Sequence, residues 1–462
     1  MENASQDVRP SRACDRCYEL KARCDRALVS GSGSSSCGRC ERLGLICLTL
    51  RAVRPAGRRV RNTAHAVSTT AARESLSGAW IQNVPSLHPE ERELLTFLLG
   101  PTEDVHCYVV CPRFQLEVQR SLSAQLSLSM PILKDAYLAC ASALKQLDPA
   151  LSTGGDVSIR YAASAIKTLL SFPVSNSHDA IVCLTLGAAL AISMSATVAV
   201  GVADICQYCL AVTGPFIESA VPGSDTETWH GVLIWLETMD CLFKRRKPTL
   251  RLKPQDSKEV HRYLGLCLPL IPYYYDLCVI SHSLNYLTDA GALAYLHRQL
   301  DVINTSVAAW TPSPGSDFTD QFGASEVVTL LAQARVYRLA ALLVSHRLRY
   351  AFGEHDEQAD IWSKEIMMEL EVAQKIAGRP NRCVTLPFII AAIEIRDATA
   401  RNEALQNTVN YVDNFSPTVH NAAKTFLCRV WCGRDLRTTS CWLDSIHKPC
   451  PVLQSINGTR VT

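Results

Sequence analysis

Six cysteines near the N-terminus constrain this chain more than any other feature. They are spaced Cys14-x2-Cys17-x6-Cys24-x12-Cys37-x2-Cys40-x6-Cys47, which is the half-motif C-x2-C-x6-C written twice. Two thiolates three residues apart at a helix start both point at one metal ion, and a third, after a short helix and turn, closes the pocket. Six thiolates can fill one tetrahedral site and leave two over. They can also serve two zinc ions of four ligands each if two sulfurs bridge. The equal contribution of the two halves fits the second arrangement. A unit this small cannot be held by its apolar residues, so metal binding must supply most of its folding free energy.

Charge divides the chain at the same place. The net charge of +2 over 462 residues hides an uneven distribution. Residues 1–61 carry thirteen Lys and Arg against six Asp and Glu, and the remainder is net acidic. A basic end of this kind is expected to meet a polyanion. The other fourteen of the twenty cysteines are scattered from Cys107 to Cys450. Residues 1–5, Met-Glu-Asn-Ala-Ser, have no apolar core and no cleavage site, so no secretory signal is expected. In a reducing compartment clustered cysteines read as metal ligands, and scattered ones as small buried hydrophobes.

The motif residues Ala13-Cys14-Asp15-Arg16-Cys17-Tyr18-Glu19-Leu20-Lys21-Ala22-Arg23-Cys24-Asp25 and Cys37-Gly38-Arg39-Cys40-Glu41-Arg42-Leu43-Gly44-Leu45-Ile46-Cys47 resemble the fungal Zn2Cys6 binuclear cluster family. The resemblance implies two zinc ions held by Cys14, Cys17, Cys24, Cys37, Cys40 and Cys47, with Cys14 and Cys37 bridging. It also implies that the helix after Cys17 enters the major groove of double-stranded DNA at CGG-like sites. Lys21 occupies the family's base-reading position, where an ammonium can donate to guanine N7 and O6. Arg12, Arg16, Arg23 and Arg39 would hold phosphates, positioning the module without reading sequence. The chain departs from the family in two places. Tyr18-Glu19-Leu20 stands where basic residues are common, and residues 27–36, rich in Gly and Ser, replace a shorter proline-containing loop.

Domain boundaries follow from composition. Residues 10–50 form the cluster domain, and 51–88 read as a basic, flexible linker of Arg, Ala, Thr and Ser. The linker arginines, Arg58 and Arg59 among them, have three readings: a phosphate-contacting arm, a nuclear import signal or a solvated linker. Residues 89–450 read as one all-helical regulatory domain of ten to fourteen helices, and 451–462 as a tail. Apolar residues three and four apart predict helices over 91–99, 132–147, 159–170 and 327–350. The uncharged run 180–203 is long enough for a membrane span, but its serines, threonines and glycines point to a buried helix, or two short ones. Lys244-Arg245-Arg246-Lys247 ends a predicted helix over 231–243 and reads as a complement to its dipole. Cys206 and Cys209, and likewise Cys428 and Cys432 beside Trp431, read as core packing. His282 and His346 read as surface or satisfied core histidines.

Short stretches such as Leu386-Pro387-Phe388-Ile389-Ile390-Ala391-Ala392-Ile393-Glu394, Phe426-Leu427-Cys428-Arg429-Val430-Trp431 and Pro131-Ile132-Leu133-Lys134-Asp135-Ala136-Tyr137 resemble the helical regulatory domain of fungal transcription factors. There is no G-x-S-x-G, H-E-x-x-H or G-x-x-x-x-G-K-[ST], so an enzyme is not expected. The expectation is therefore a mainly α, nuclear, sequence-specific transcription factor at RNA polymerase II promoters. The resemblance makes a pathway-specific regulator of a biosynthetic, secondary-metabolite gene cluster the expected role, with a homodimer or other regulators as partners and no membrane. The alternative, motivated by Glu19, is a zinc-cluster coregulator that acts through a DNA-bound partner.

Overall fold

Apolar residues at helical spacing form helices at all four places where they predict them. The computed structural model describes residues 17, 24, 37–43, 79–100, 109–146, 156–198, 200–217, 225–253, 259–286, 289–412 and 417–443. Among these the chain forms fifteen α-helices and no β-strand. It divides into two compact units, Met1–Ser68 and Thr69–Thr462. The first holds α1 (Gly38–Arg42). In the second, α2 (Pro89–Leu99), α3 (Gln115–Lys145), α4 (Asp156–Ser171), α5 (Ser177–Thr197), α6 (Val202–Ile217) and α7 (Asp225–Lys244) come first. After them run α8 (Ile271–Leu284), α9 (Ala290–Ala309), α10 (Phe318–Gln321), α11 (Ala324–Arg349), α12 (Asp356–Ala377), α13 (Thr385–Glu394), α14 (Ala398–Tyr411) and α15 (Pro417–Asp435).

Local chemistry sets the helix ends. Asn176, Asp289 and Asp397 each accept a hydrogen bond from a backbone N–H three residues on, satisfying an orphan donor of α5, α9 and α14. At α2, Glu91 accepts from the backbone N–H of His88 (2.9 Å) and from Lys134 Nζ (3.0 Å), so one carboxylate caps a helix and ties it to α3. Helix α12 stops at Gly378, whose φ of +70° suits a residue without Cβ. Proline 131 lies inside α3, where it removes a backbone donor, and the helix kinks at Ser129.

Helices α5 and α11 form the centre of the larger unit. The uncharged run 180–203 spans most of α5, a turn at Gly201 with φ of +74°, and the start of α6. Both α5 and α11 are long and apolar enough to cross a membrane, yet 72 % of each apolar window is buried inside the protein. Helix α5 packs against α3, α4, α6 and α7, and it meets α6 closely: a Cβ on Gly187 would lie 2.3 Å from Cys209 Sγ. A larger residue there would force the Cys209 side chain, or its helix, to shift. One continuous core runs from Ile81 to Leu443. Ile81 and Leu87, within the stretch 51–88 read as linker, belong to this core.

Several buried polar groups in this core are paired. The Arg347 guanidinium, 1 % exposed, donates to both carboxylate oxygens of Glu394, itself 2 % exposed (2.9 and 2.7 Å), and to Asp356 (2.7 Å). Arg434 donates to the last carbonyls of α13, at Ile393 and Glu394. Trp235 lies edge-on to Tyr274 and Tyr337, and the Tyr274 hydroxyl donates to the Tyr337 carbonyl. His282 Nδ1 meets the Arg245 carbonyl and His346 Nε2 the His355 carbonyl, as satisfied histidines should.

Candidate metal centre

The C-x2-C spacing of the second half-motif folds as a single helical turn. Cys37 is the N-cap of α1, with extended φ and ψ, and its Sγ accepts from the Cys40 backbone N–H at 3.5 Å. The same turn carries the Cys40 side chain back toward Cys37, because helix side chains three residues apart share a face. Cys17 arrives from the first half-motif, its Sγ 3.8 Å from Cys37 Sγ. The sulfurs of Cys17, Cys37 and Cys40 all lie within 4.8 Å of one another, and all three residues are buried. Cys24, half-buried, packs against them.

These distances suit a metal. Tetrahedral zinc at about 2.3 Å from each thiolate separates its sulfurs by about 3.8 Å. The backbone N–H aimed at Cys37 Sγ becomes a charge-assisted donor once that sulfur is a thiolate. No apolar side chain joins this cluster among the described residues, so sulfur stands where a larger domain has a core. The three cysteines can therefore hold a metal ion. The same turn carries Arg39, half-buried, and Arg42 and Leu43, both exposed.

Of the residues singled out by sequence, the structure brings together Cys17, Cys24, Cys37 and Cys40, with Arg39 on the same short helix. Cys14, Cys47, Arg12, Arg16, Lys21, Arg23, Arg58 and Arg59 lie outside the described residues. The basic run Lys244–Lys247 is largely absorbed by the helical unit. Lys244 and Arg246 both pair with Asp240 (2.5 Å each), and Arg245, at φ +51°, donates to the Ser281 carbonyl. Cys206 and Cys209 are buried as expected.

Cys428 and Cys432 are not core residues: both are exposed. The inward face of α15 is taken by Phe426, Leu427, Val430 and Trp431, whose Nε1 donates to the Ala392 carbonyl. A step of about 100° per residue turns Cys428 and Cys432 to the other side. Sequence reasoning also gave no hint that Cys183, on α5, neighbours Cys209, on α6. The 25 intervening residues carry no pairing signal, and the helices approach closely at Gly187. Set beside known protein families, curated proteins and solved structures, the chain matches none of them.

Proposed function

We propose that this protein is a DNA-binding transcriptional regulator whose N-terminal unit is a zinc cluster of the Zn2Cys6 type. The observation that carries this reading is the meeting of Cys17, Cys37 and Cys40 within 4.8 Å, inside a duplicated C-x2-C-x6-C frame at the basic end of the chain. Two zinc ions would then be held by Cys14, Cys17, Cys24, Cys37, Cys40 and Cys47. Lys21 reads guanine in a CGG-like site, and Arg12, Arg16, Arg23 and Arg39 grip phosphates. Arg58 and Arg59 extend the phosphate grip or direct nuclear import. The helical unit then regulates this module in the nucleus, at promoters of a biosynthetic gene cluster.

The test uses the full-length, zinc-loaded protein and a CGG-containing duplex over a salt series. Binding that weakens steeply with salt and prefers CGG over a scrambled duplex supports the reading. Lys21→Ala should cost about 1–3 kcal/mol of that preference. Equal affinity for both duplexes sinks base reading. Glu19, which sets a carboxylate two residues from Lys21, favours a second reading for that result: a zinc-cluster coregulator recruited by a DNA-bound partner.

A further inference from the structure

Helix α12 has two apolar faces, and only one is used. Ala359, Ser363, Ile366, Leu370 and Ala373 are buried against the unit's core. On the opposite side Ile361, Met368, Val372 and Ile376 are 56, 60, 46 and 61 % exposed. At 100° per residue these four fall within about 80° of arc, forming one stripe over four turns. No other described helix lines up four large exposed apolar side chains on one face. A stripe of this kind marks an interaction surface.

The charges beside the stripe identify what covers it. Asp360, Lys364, Glu371 and Lys375 run along one flank with signs that alternate, and each pairs only within its own helix, Lys364 with Asp360 (2.7 Å) and Lys375 with Glu371 (4.0 Å). A row of alternating sign gives no field to attract a uniformly charged partner. Turned end over end about a dyad between residues 367 and 368, however, the row becomes its own complement. Lys364 stands level with Glu371 of a second copy, and Asp360 level with Lys375 of that copy. In an antiparallel pair related by such a dyad, like flanks face each other, so these charges meet. Along the seam Met368 meets Met368 of the second copy, and Ile361 slots between its Val372 and Ile376.

We propose that the outer face of α12 is a self-association surface on which two copies pair antiparallel, α12 against α12. Glu365, exposed within the stripe, places a carboxylate in this seam and keeps the pairing weak and concentration-dependent. One helix pair of this length is also at the small end of specific interfaces. The inference concerns the helical unit alone and does not rest on DNA reading.

Sedimentation velocity of the full-length, zinc-loaded protein across a wide concentration series tests it. A monomer–dimer equilibrium is expected, weakened at least tenfold by Met368→Glu with Val372→Glu, and tightened by Glu365→Leu. Far-UV circular dichroism and melting must match the parent, since all these positions are exposed. The decisive arm uses charge. Lys364→Glu alone sets two acids against each other across the dyad, and Glu371→Lys alone sets two lysines, so each variant by itself should dimerise less. An equimolar mixture of the two should recover the parent affinity as a heterodimer. A monomer at every concentration, a dimer indifferent to the α12 substitutions, or a mixture that recovers nothing overturns the proposal.

Discussion

The two units of this chain solve the same problem with different materials. In the helical unit, burial of leucine, alanine and aromatic side chains offsets the entropy of ordering the chain, and a continuous core from Ile81 to Leu443 results. Around Cys37 the buried groups are sulfurs, and the described helix is one of five residues. A helix that short has no independent stability in water. The contrast teaches that one chain can carry a region whose order is a property of its sequence and another whose order, on the proposed reading, is a property of a bound metal.

Removing metal should break that symmetry most sharply. Chelation should unfold the cysteine unit outright, since apparent binding energies of structural zinc are on the order of 10 kcal/mol. The melting transition of the helical unit should not move. Calorimetry with and without chelator checks this, and a helical transition that shifts with metal would show the two units to be one. Next in size is Glu394→Ala, which leaves the buried Arg347 guanidinium with Asp356 as its one carboxylate partner. The expected cost is about 3–5 kcal/mol in denaturant unfolding, with the bound metal per chain unchanged.

A smaller effect concerns acid. Burial pushes the imidazoles of His261 and His230 down to about 4. Between the ordinary histidine value and pH 4 the unfolded chain therefore binds more protons than the folded one, and stability falls as pH falls through that window. By pH 5 each group should have removed roughly 1–2 kcal/mol. His261 Nδ1 accepts from the backbone N–H groups of Tyr263 and Leu264, and an asparagine oxygen can do the same. His261→Asn should thus flatten the slope measured by urea unfolding at pH 7 and pH 5, and an unchanged slope would remove His261 from the account. Smallest of all is Arg335→Ala. Its ion pair with Glu369 (3.1 Å) joins α11 to α12 at the surface, where such pairs contribute about 1 kcal/mol or less. A loss well above that would mean this pair does more than decorate the helical unit.

Much of the helical unit was legible in the sequence, and the reasons are physical. A helix with one buried face writes its period into the chain, as residues 159–170 do. Residues 180–203 are legible by length and lack of charge alone, because a helix buried on all sides has no period. The orientation of α15 was hidden. Cys428, Trp431 and Cys432 are all apolar, and nothing local says which of them faces inward; the position of Ala392, 39 residues away, decides it. The exposed stripe of α12 was hidden for a related reason, since apolar residues on two opposite faces look like one well-buried helix. At the candidate metal centre the cysteines were legible because a metal site demands both residue type and spacing. Cys17, Cys37 and Cys40 lie close enough together to hold one ion, and Cys24 packs against them. A phosphate contact asks only for a cation within reach, so Arg39 is placed on its helix and given no role by its surroundings.

Helix α5 has one further consequence, for the order in which the protein assembles. Residues 177–197 are covered by α3 and α4 on one side and by α6 and α7 on the other. A chain made from its N-terminus presents this apolar helix before residues 202–244 exist to cover it. During that interval its uncovered flank is an apolar, aggregation-prone surface that α6 and α7 have yet to close. The place where Gly187 lets α6 lie down is therefore also where a growing chain exposes apolar surface until α6 arrives.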